Sequence, residues 1–198
     1  MCIRDRTITP DEITEEMLSK YQCIYIEGYL LVNEPLVRST MEKAKKLGLK
    51  VALDLSNFNI VNAFKGMLED IIPKYVDILF SNESEAEAFT GQKAAEAVHT
   101  LSELVEVSLV TLGKEGALIG SHGQFYSVPA EGGKPVDTTG AGDNFAAGFL
   151  YGQSIGASLV QSARIGSMLA GYVIDVVGPE IPYDKWEQIK LKVKGILA

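Results

Sequence analysis

Of its 198 residues, only two are cysteine, two histidine and one tryptophan. Cys2 and Cys23 lack CxxC spacing, and two thiols cannot complete a four-ligand metal site. Cys23 sits in an apolar run and reads as a small core residue. His99 and His122 lie in unrelated polar contexts with no paired nucleophile, so Ser-His-Asp catalysis has no support. No stretch approaches about 20 uncharged apolar residues, which excludes a membrane-spanning helix. The opening MCIRDRTITPDEI has no apolar core of a secretory signal. Basic residues are the minority: 18 Lys and Arg against 26 Asp and Glu leave a net charge of −8. A phosphate-backbone binder needs clustered Lys and Arg, so nucleic acid is excluded as a partner. A small polyanion is still allowed, because backbone amides and a metal can hold it locally. These absences predict a soluble, cytoplasmic protein without membrane or nucleic-acid partners.

At 46% hydrophobic the chain is too apolar for disorder, and its 19 Gly and 7 Pro form no repeat. Short apolar runs alternate with amphipathic segments. CIYIEGYLLV (23–32) predicts a strand and its exit, and EPLVRSTMEKAKKL (34–47) a helix ended by Gly48. KVALDL (50–55) is a second strand, followed by a helical stretch to about Ile72, punctuated by Pro73. DILF (77–80) is a third strand, with a helix beginning at Ser81 or Asn82. This order implies a parallel sheet covered on both faces. VSLVTLG (107–113), GALIG (116–120) and QFYSVPA (124–130) then read as hairpin strands. Helices are expected near 142–154, 157–176 and 183–196, with Gly178-Pro179 separating the last two. Asp11-Glu12 and Glu15-Glu16 read as a solvated helix start.

The strongest chemical signal is PVDTTGAGDNFAAGFLYG (135–152). A β-like segment turns through Gly140-Ala141-Gly142 into a helix at Asp143. Small residues let a ligand approach the backbone, and the helix start leaves amides unpaired where a phosphate could sit. A carboxylate at that point suits a group that must take a proton from a hydroxyl attacking the phosphate. A tight turn with Asp143 as a cap accounts for the same residues. The loop is not GxxxxGK[ST], and Gly132-Gly133-Lys134 runs into Pro135 with no hydroxyl for Mg²⁺. Nor is it GxGxxG, since Phe145 stands three residues after Gly142.

DTTGAGDNFAAGFLYG closely resembles the C-terminal signature of the ribokinase-like (PfkB) family of carbohydrate and nucleoside kinases. YVDILFSNESEAEAFTG (75–91) with CIYIEGYLLV is most similar to the adenosine kinase branch. The resemblance implies a ribokinase-like three-layer α/β/α fold with a mainly parallel sheet and C-terminal hairpin strands. It divides the chain into a ragged segment 1–20 and one catalytic and ATP-binding domain over 21–198. By resemblance, the amides of Ala141, Gly142 and Asp143 stabilise the transferring phosphoryl group, Gly140 and Gly142 supply the turn, and the Asp143 carboxylate activates the acceptor hydroxyl. Asn82 and Glu85 match the NxxE element that positions Mg²⁺ and phosphates, usually through water; N-x-x-E is also a capping box. Thr111, Gly113 and Gly116 match a nucleotide-contacting turn that a hairpin explains as well. Lys114 beside them either reaches a phosphate or points into water. Asp137 and Thr139 occupy positions that in some members help hold K⁺; a side-chain cap on the turn is the alternative. Helix 157–176, with Ala163, Gly166 and Ser167, would wall the adenine pocket or simply pack closely. Arg164 in that helix either pairs or contacts phosphate.

The implied partners are ATP, Mg²⁺ and a nucleoside or sugar, in a monomer or homodimer. The family's N-terminal strands, substrate-binding aspartate, Gly-Gly element and β lid find no match before residue 21, and MCIRDR resembles a translated sequencing-adapter remnant. The chain therefore reads as a C-terminal piece with one exposed sheet edge. Two functions stay open: the phosphotransferase part of a kinase, or an inactive nucleotide-binding remnant.

Overall fold

Six short strands lie across one sheet in chain order in the computed structural model, which describes residues 8–132 and 135–198. MCIRDR and the Gly133-Lys134 pair fall outside the described residues. The strands are β1 (Cys23–Glu27), β2 (Lys50–Asp54), β3 (Ile78–Asn82), β4 (Val107–Thr111), β5 (Ala117–Ser121) and β6 (Gln124–Val128). β1, β2 and β3 pair in parallel, Cys23 opposite Lys50 and Asp54 opposite Phe80. β5 and β6 are joined by His122 and Gly123, both at positive φ (49° and 75°), the geometry of a tight hairpin turn. The sheet is thus mixed, as the change of pattern after residue 107 predicts.

Contacts divide the chain into two compact units. The first runs to Val110 and includes Gly120–Phe125. It holds α1 (Glu15–Leu18), α2 (Glu34–Lys46), α3 (Phe58–Ala63), α4 (Lys65–Tyr75), α5 (Glu83–Thr90) and α6 (Ala94–Ser102). In α2 the Asn33 side chain caps the Leu36 amide, three lysines occupy the last turn, and Leu36, Val37, Met41 and Ala44 are buried. The cap and the helix dipole set its ends, and the apolar stripe sets its face. Met41 is wholly buried, a burial that contributes roughly 2–3 kcal/mol.

Two expectations need correction in this unit. The helical stretch after β2 breaks at Phe64 and continues through Pro73 to Tyr75. Pro73 lacks the N–H that would bond the Glu69 carbonyl, and the helix ends two residues later. α6 was not predicted, although Ala94, Ala97, Val98 and Leu101 have helical spacing and the last three are buried. The acidic start resolves as a short 3₁₀ turn at Pro10–Glu12 followed by α1, both solvated on their acidic sides. Cys23 is half-buried, and burial pushes its thiol pKa up.

The second unit comprises Thr111–Ile119 and Tyr126–Ala198. It carries α7 (Ala141–Ser154), α8 (Leu159–Ile174) and α9 (Trp186–Leu197). Glycine lets α7 and α8 touch: a Cβ on Gly148 would stand 2.7 Å from the Gly166 Cα. Ile165, Met168, Leu169 and Val173 of α8 join Ile189, Val193 and Ile196 of α9 in one apolar cluster. Among the described residues no helix is long and apolar enough to cross a membrane.

Candidate active site

α7 begins at the glycine loop. Gly140 is its N-cap in the left-handed region (φ 77°), and a Cβ there would lie 2.8 Å from the Pro179 Cβ. Glycine is therefore required by the fold at 140. Gly142 differs: its φ is helical, and an added Cβ would meet nothing within 4 Å. The expected turn rests on Gly140 alone, and the bareness of Gly142 leaves open space.

The amides of the loop are not equivalent. Ala141 N–H donates to the Thr138 carbonyl at 3.2 Å, and Asn144 N–H to that of Gly140 at 2.9 Å. Among the described residues the Gly142 and Asp143 amides have no acceptor, so two of the three expected donors are free. Asp143 is exposed, and no described residue holds its carboxylate by hydrogen bond or ion pair. The Asn144 side chain ties the loop down, donating to the carbonyls of Gly140 (2.9 Å) and Pro179 (3.3 Å).

Beside this helix start is a cavity of about 420 Å³, all of whose walls belong to the second unit. It brings together five of the expected residues, Thr111, Gly113, Gly116, Ala141 and Gly142, and also Lys114. Gly116 cannot carry a side chain, because a Cβ would sit 1.9 Å from the Val128 carbonyl oxygen. On α8, Ser167 lines the cavity and Ala163 and Gly166 do not. Gly166 instead takes the close approach of Phe145. Sequence reading missed Phe145, Ala170 and Gly171 as lining residues. Ala170 and Gly171 continue the small-residue face of Ala163, Gly166 and Ser167 by one turn, a signal that could have found them. The Ser167 hydroxyl clamps the incoming segment, accepting from Glu131 N–H (3.0 Å) and donating to the Pro129 carbonyl (2.8 Å). Arg164 is exposed, its guanidinium 3.9 Å from Glu131 Oε1.

Asp137 uses both carboxylate oxygens. Oδ1 accepts from the Thr139 amide (2.9 Å) and hydroxyl (2.7 Å), and Oδ2 from the Gly178 amide (2.9 Å). The Gly178 and Thr139 donors hold its pKa below the usual carboxylate value. The pair thus caps its own turn and tethers residue 178.

In the first unit, Asn82 and Glu85 close a complete capping box at the start of α5. Asn82 Oδ1 accepts from Glu85 N–H at 3.0 Å. Glu85 Oε2 accepts from Asn82 N–H at 2.8 Å, and Oε1 from the Asn82 side-chain amide at 2.7 Å. Glu85 is buried, and desolvation, with a smaller contribution from the charge of Asp54, pushes its pKa up to about 7. Asp54, which sequence reading missed, ends β2 and accepts from the Tyr25 hydroxyl (3.0 Å) and the Ser56 amide (2.6 Å). Ser56 stands at φ 63°, a strained position for a side chain other than glycine. No group of three or more Asp, Glu, His or Cys converges as a metal site among the described residues.

The family model described as "pfkB family carbohydrate kinase" matches residues 3–186. The chain belongs to that family. It is 31% identical to adenosine kinase of Saccharomyces cerevisiae over 194 residues, covering 89% of this chain and 57% of the yeast protein. The solved adenosine kinase of Sinorhizobium meliloti superposes with a TM-score of 0.88 at 29% identity, covering 94% of this chain and 58% of that one. A structure titled a probable sugar kinase, from Rhizobium etli, gives 0.88 at 30% identity over 96% and 58%. The chain therefore spans a little over half the length of these relatives. The α/β fold with its mixed sheet is the ribokinase-like fold of these neighbours.

Proposed function

We propose that this chain carries the ATP-binding and phosphoryl-transfer machinery of a kinase acting on a primary alcohol, the 5′-hydroxyl of adenosine or a related nucleoside. The observation that supports it most is the open start of α7, where two unpaired amides adjoin an unpaired carboxylate at the edge of a cavity. In this reading the nucleotide lies in the cavity against Thr111, Gly113 and Gly116, a volume suited to a small molecule. The acceptor oxygen bonds to the γ-phosphorus as the bond from that phosphorus to the β–γ bridging oxygen breaks. The displaced nucleoside diphosphate leaves, and the hydroxyl proton passes to the Asp143 carboxylate. Charge developing on the phosphoryl oxygens is met by the Gly142 and Asp143 amides, with Ala141 N–H already committed to Thr138. Lys114, on the cavity wall, is placed to add charge.

Mg²⁺ supplies charge neutralisation between the phosphates when bound. The residues present fit it only indirectly. Both Glu85 oxygens already accept from Asn82, so Glu85 would act toward the ion only through water. A monovalent cation at Asp137 and Thr139 belongs to the same reading, although the hydrogen bonds there already account for both side chains. A cytoplasmic location and small-molecule partners go with it.

The adenosine acceptor rests on the run at 75–91 and on the likeness to the adenosine kinases of Saccharomyces cerevisiae and Sinorhizobium meliloti. The test is a panel of adenosine, ribose, fructose and fructose phosphate with ATP and Mg²⁺. It is run on this chain and on a version extended to the length of its relatives, with products read by mass spectrometry. Adenosine monophosphate is the expected product. Phosphorylation of a sugar and not of adenosine would overturn the acceptor. Nucleotide binding without transfer to any acceptor in either protein would leave the inactive remnant as the answer.

A further inference from the structure

A second cavity of about 400 Å³ adjoins the first within the same unit, sharing Glu131, Gly132 and Gly171 with it. Its chemistry is different. Where the first is walled largely by glycine, alanine and apolar side chains, this one is lined by Lys185, Gln188 and Lys192 on one side. Those three lie at i, i+3 and i+7, so they form one stripe at and beyond the start of α9. Tyr172, Asp175 and Met168 of α8 and its end complete the part that matters.

Neither lysine is tightly neutralised. Among the described residues Lys185 approaches only the carboxylate of its neighbour Asp184, at 3.8 Å on the surface. Among the described residues Lys192 has no carboxylate partner; its ammonium stands 4.9 Å from the centre of the Tyr172 ring. One face of that ring is therefore taken by the ammonium. Among the described residues the Tyr172 hydroxyl is buried without a hydrogen-bond partner, a cost that a polar occupant reaching it would relieve. Asp175 and Glu131 are hydrogen-bond acceptors, and Glu131 already has Arg164 beside it. Two ammonium groups and an amide on one side, with carboxylate acceptors also lining the space, describe a ligand that is anionic at one end and hydroxylated at the other.

We propose that this cavity binds a small hydroxylated phosphate ester, its phosphate held by Lys185, Gln188 and Lys192 and its hydroxyls donating to Asp175. The volume suits a compact metabolite. Met168 is buried and lines this cavity but not the first, so its methyl group is a probe on this cavity's own wall.

The test is a titration of protein carrying ¹³C-methyl methionine, with the Met168 signal assigned by Met168→Leu. Glycerol 3-phosphate should shift that signal saturably. Inorganic phosphate should bind at least about tenfold more weakly and glycerol should leave the signal in place, because each alone meets only half of the site. Replacing both surface lysines, Lys185→Met with Lys192→Met, should weaken glycerol 3-phosphate at least about tenfold, with an unchanged melting temperature showing that the fold persists. A non-hydrolysable ATP analogue should leave the shift in place. The proposal is overturned by no saturable shift, by one that survives the double substitution, by displacement with the analogue, or by inorganic phosphate binding as tightly as the ester.

Discussion

The helix starts of α5 and α7 each carry an acidic residue in the first turn, yet at α5 that residue closes a capping box with the N-cap and at α7 it stands exposed. At α5, Asn82 and Glu85 satisfy each other through three hydrogen bonds, and Glu85 is buried. At α7, the cap is a glycine with no side-chain bond, two amides have no acceptor among the described residues, and Asp143 is exposed. A side-chain cap contributes about 1 kcal/mol to a helix start, and α7 lacks the one that α5 has. The NxxE element, by contrast, is first a piece of local structure, and any part it plays toward a metal is added to that.

The comparison can be broken by substitution. Asp143→Asn should lower kcat for phosphoryl transfer at least about a hundredfold, while the melting temperature stays put because no described residue pairs with the carboxylate. Near-normal turnover in a steady-state assay would remove Asp143 from the base role.

Glu85 should show itself through pH instead. Its folded pKa, about 7, lies above the ordinary glutamate value of 4.5, so between those values the unfolded chain has released a proton that the folded chain still holds. Stability therefore falls as pH rises through that window, by at most about 2 kcal/mol between roughly pH 5 and 6.5. Thermal melts of Glu85→Gln across that range should lack this slope; an identical slope in both proteins would contradict the burial argument.

The two glycines of the loop sharpen the contrast further. Gly140→Ala forces a side chain into left-handed backbone and against Pro179, and should cost about 1–3 kcal/mol by denaturant unfolding. Gly142→Ala meets nothing, so it should stabilise α7 by up to about 1 kcal/mol while weakening nucleotide binding measured by calorimetry. Tighter binding by the stabilised variant would mean that the space at Gly142 serves no ligand.

Much of this was legible beforehand. Strand and helix positions followed from periodicity, and the loop at 140–143 from its small residues and following helix. α6 escaped although its apolar spacing was present, and Pro73 was read as a stop because a linear reading cannot see how near a helix is to its end. The cavity was half legible: Thr111, Gly113, Gly116, Ala141 and Gly142 came from motifs and Gly171 continues a small-residue face, whereas Phe145 lines it through packing with distant segments. The loop amides looked alike in sequence; only the Thr138 carbonyl at 3.2 Å separates Ala141 from its neighbours.

What the linear order determined is whatever depends on near neighbours: helix caps, the apolar stripes, turns where left-handed backbone favours glycine, and the family signature itself. Tertiary structure decided which donors stayed unpaired, which carboxylate was desolvated, and which small residues served packing and which left space. Those outcomes depend on atoms brought close from far along the chain, and both desolvation and hydrogen-bond satisfaction are set by distances of a few ångströms that no local pattern encodes.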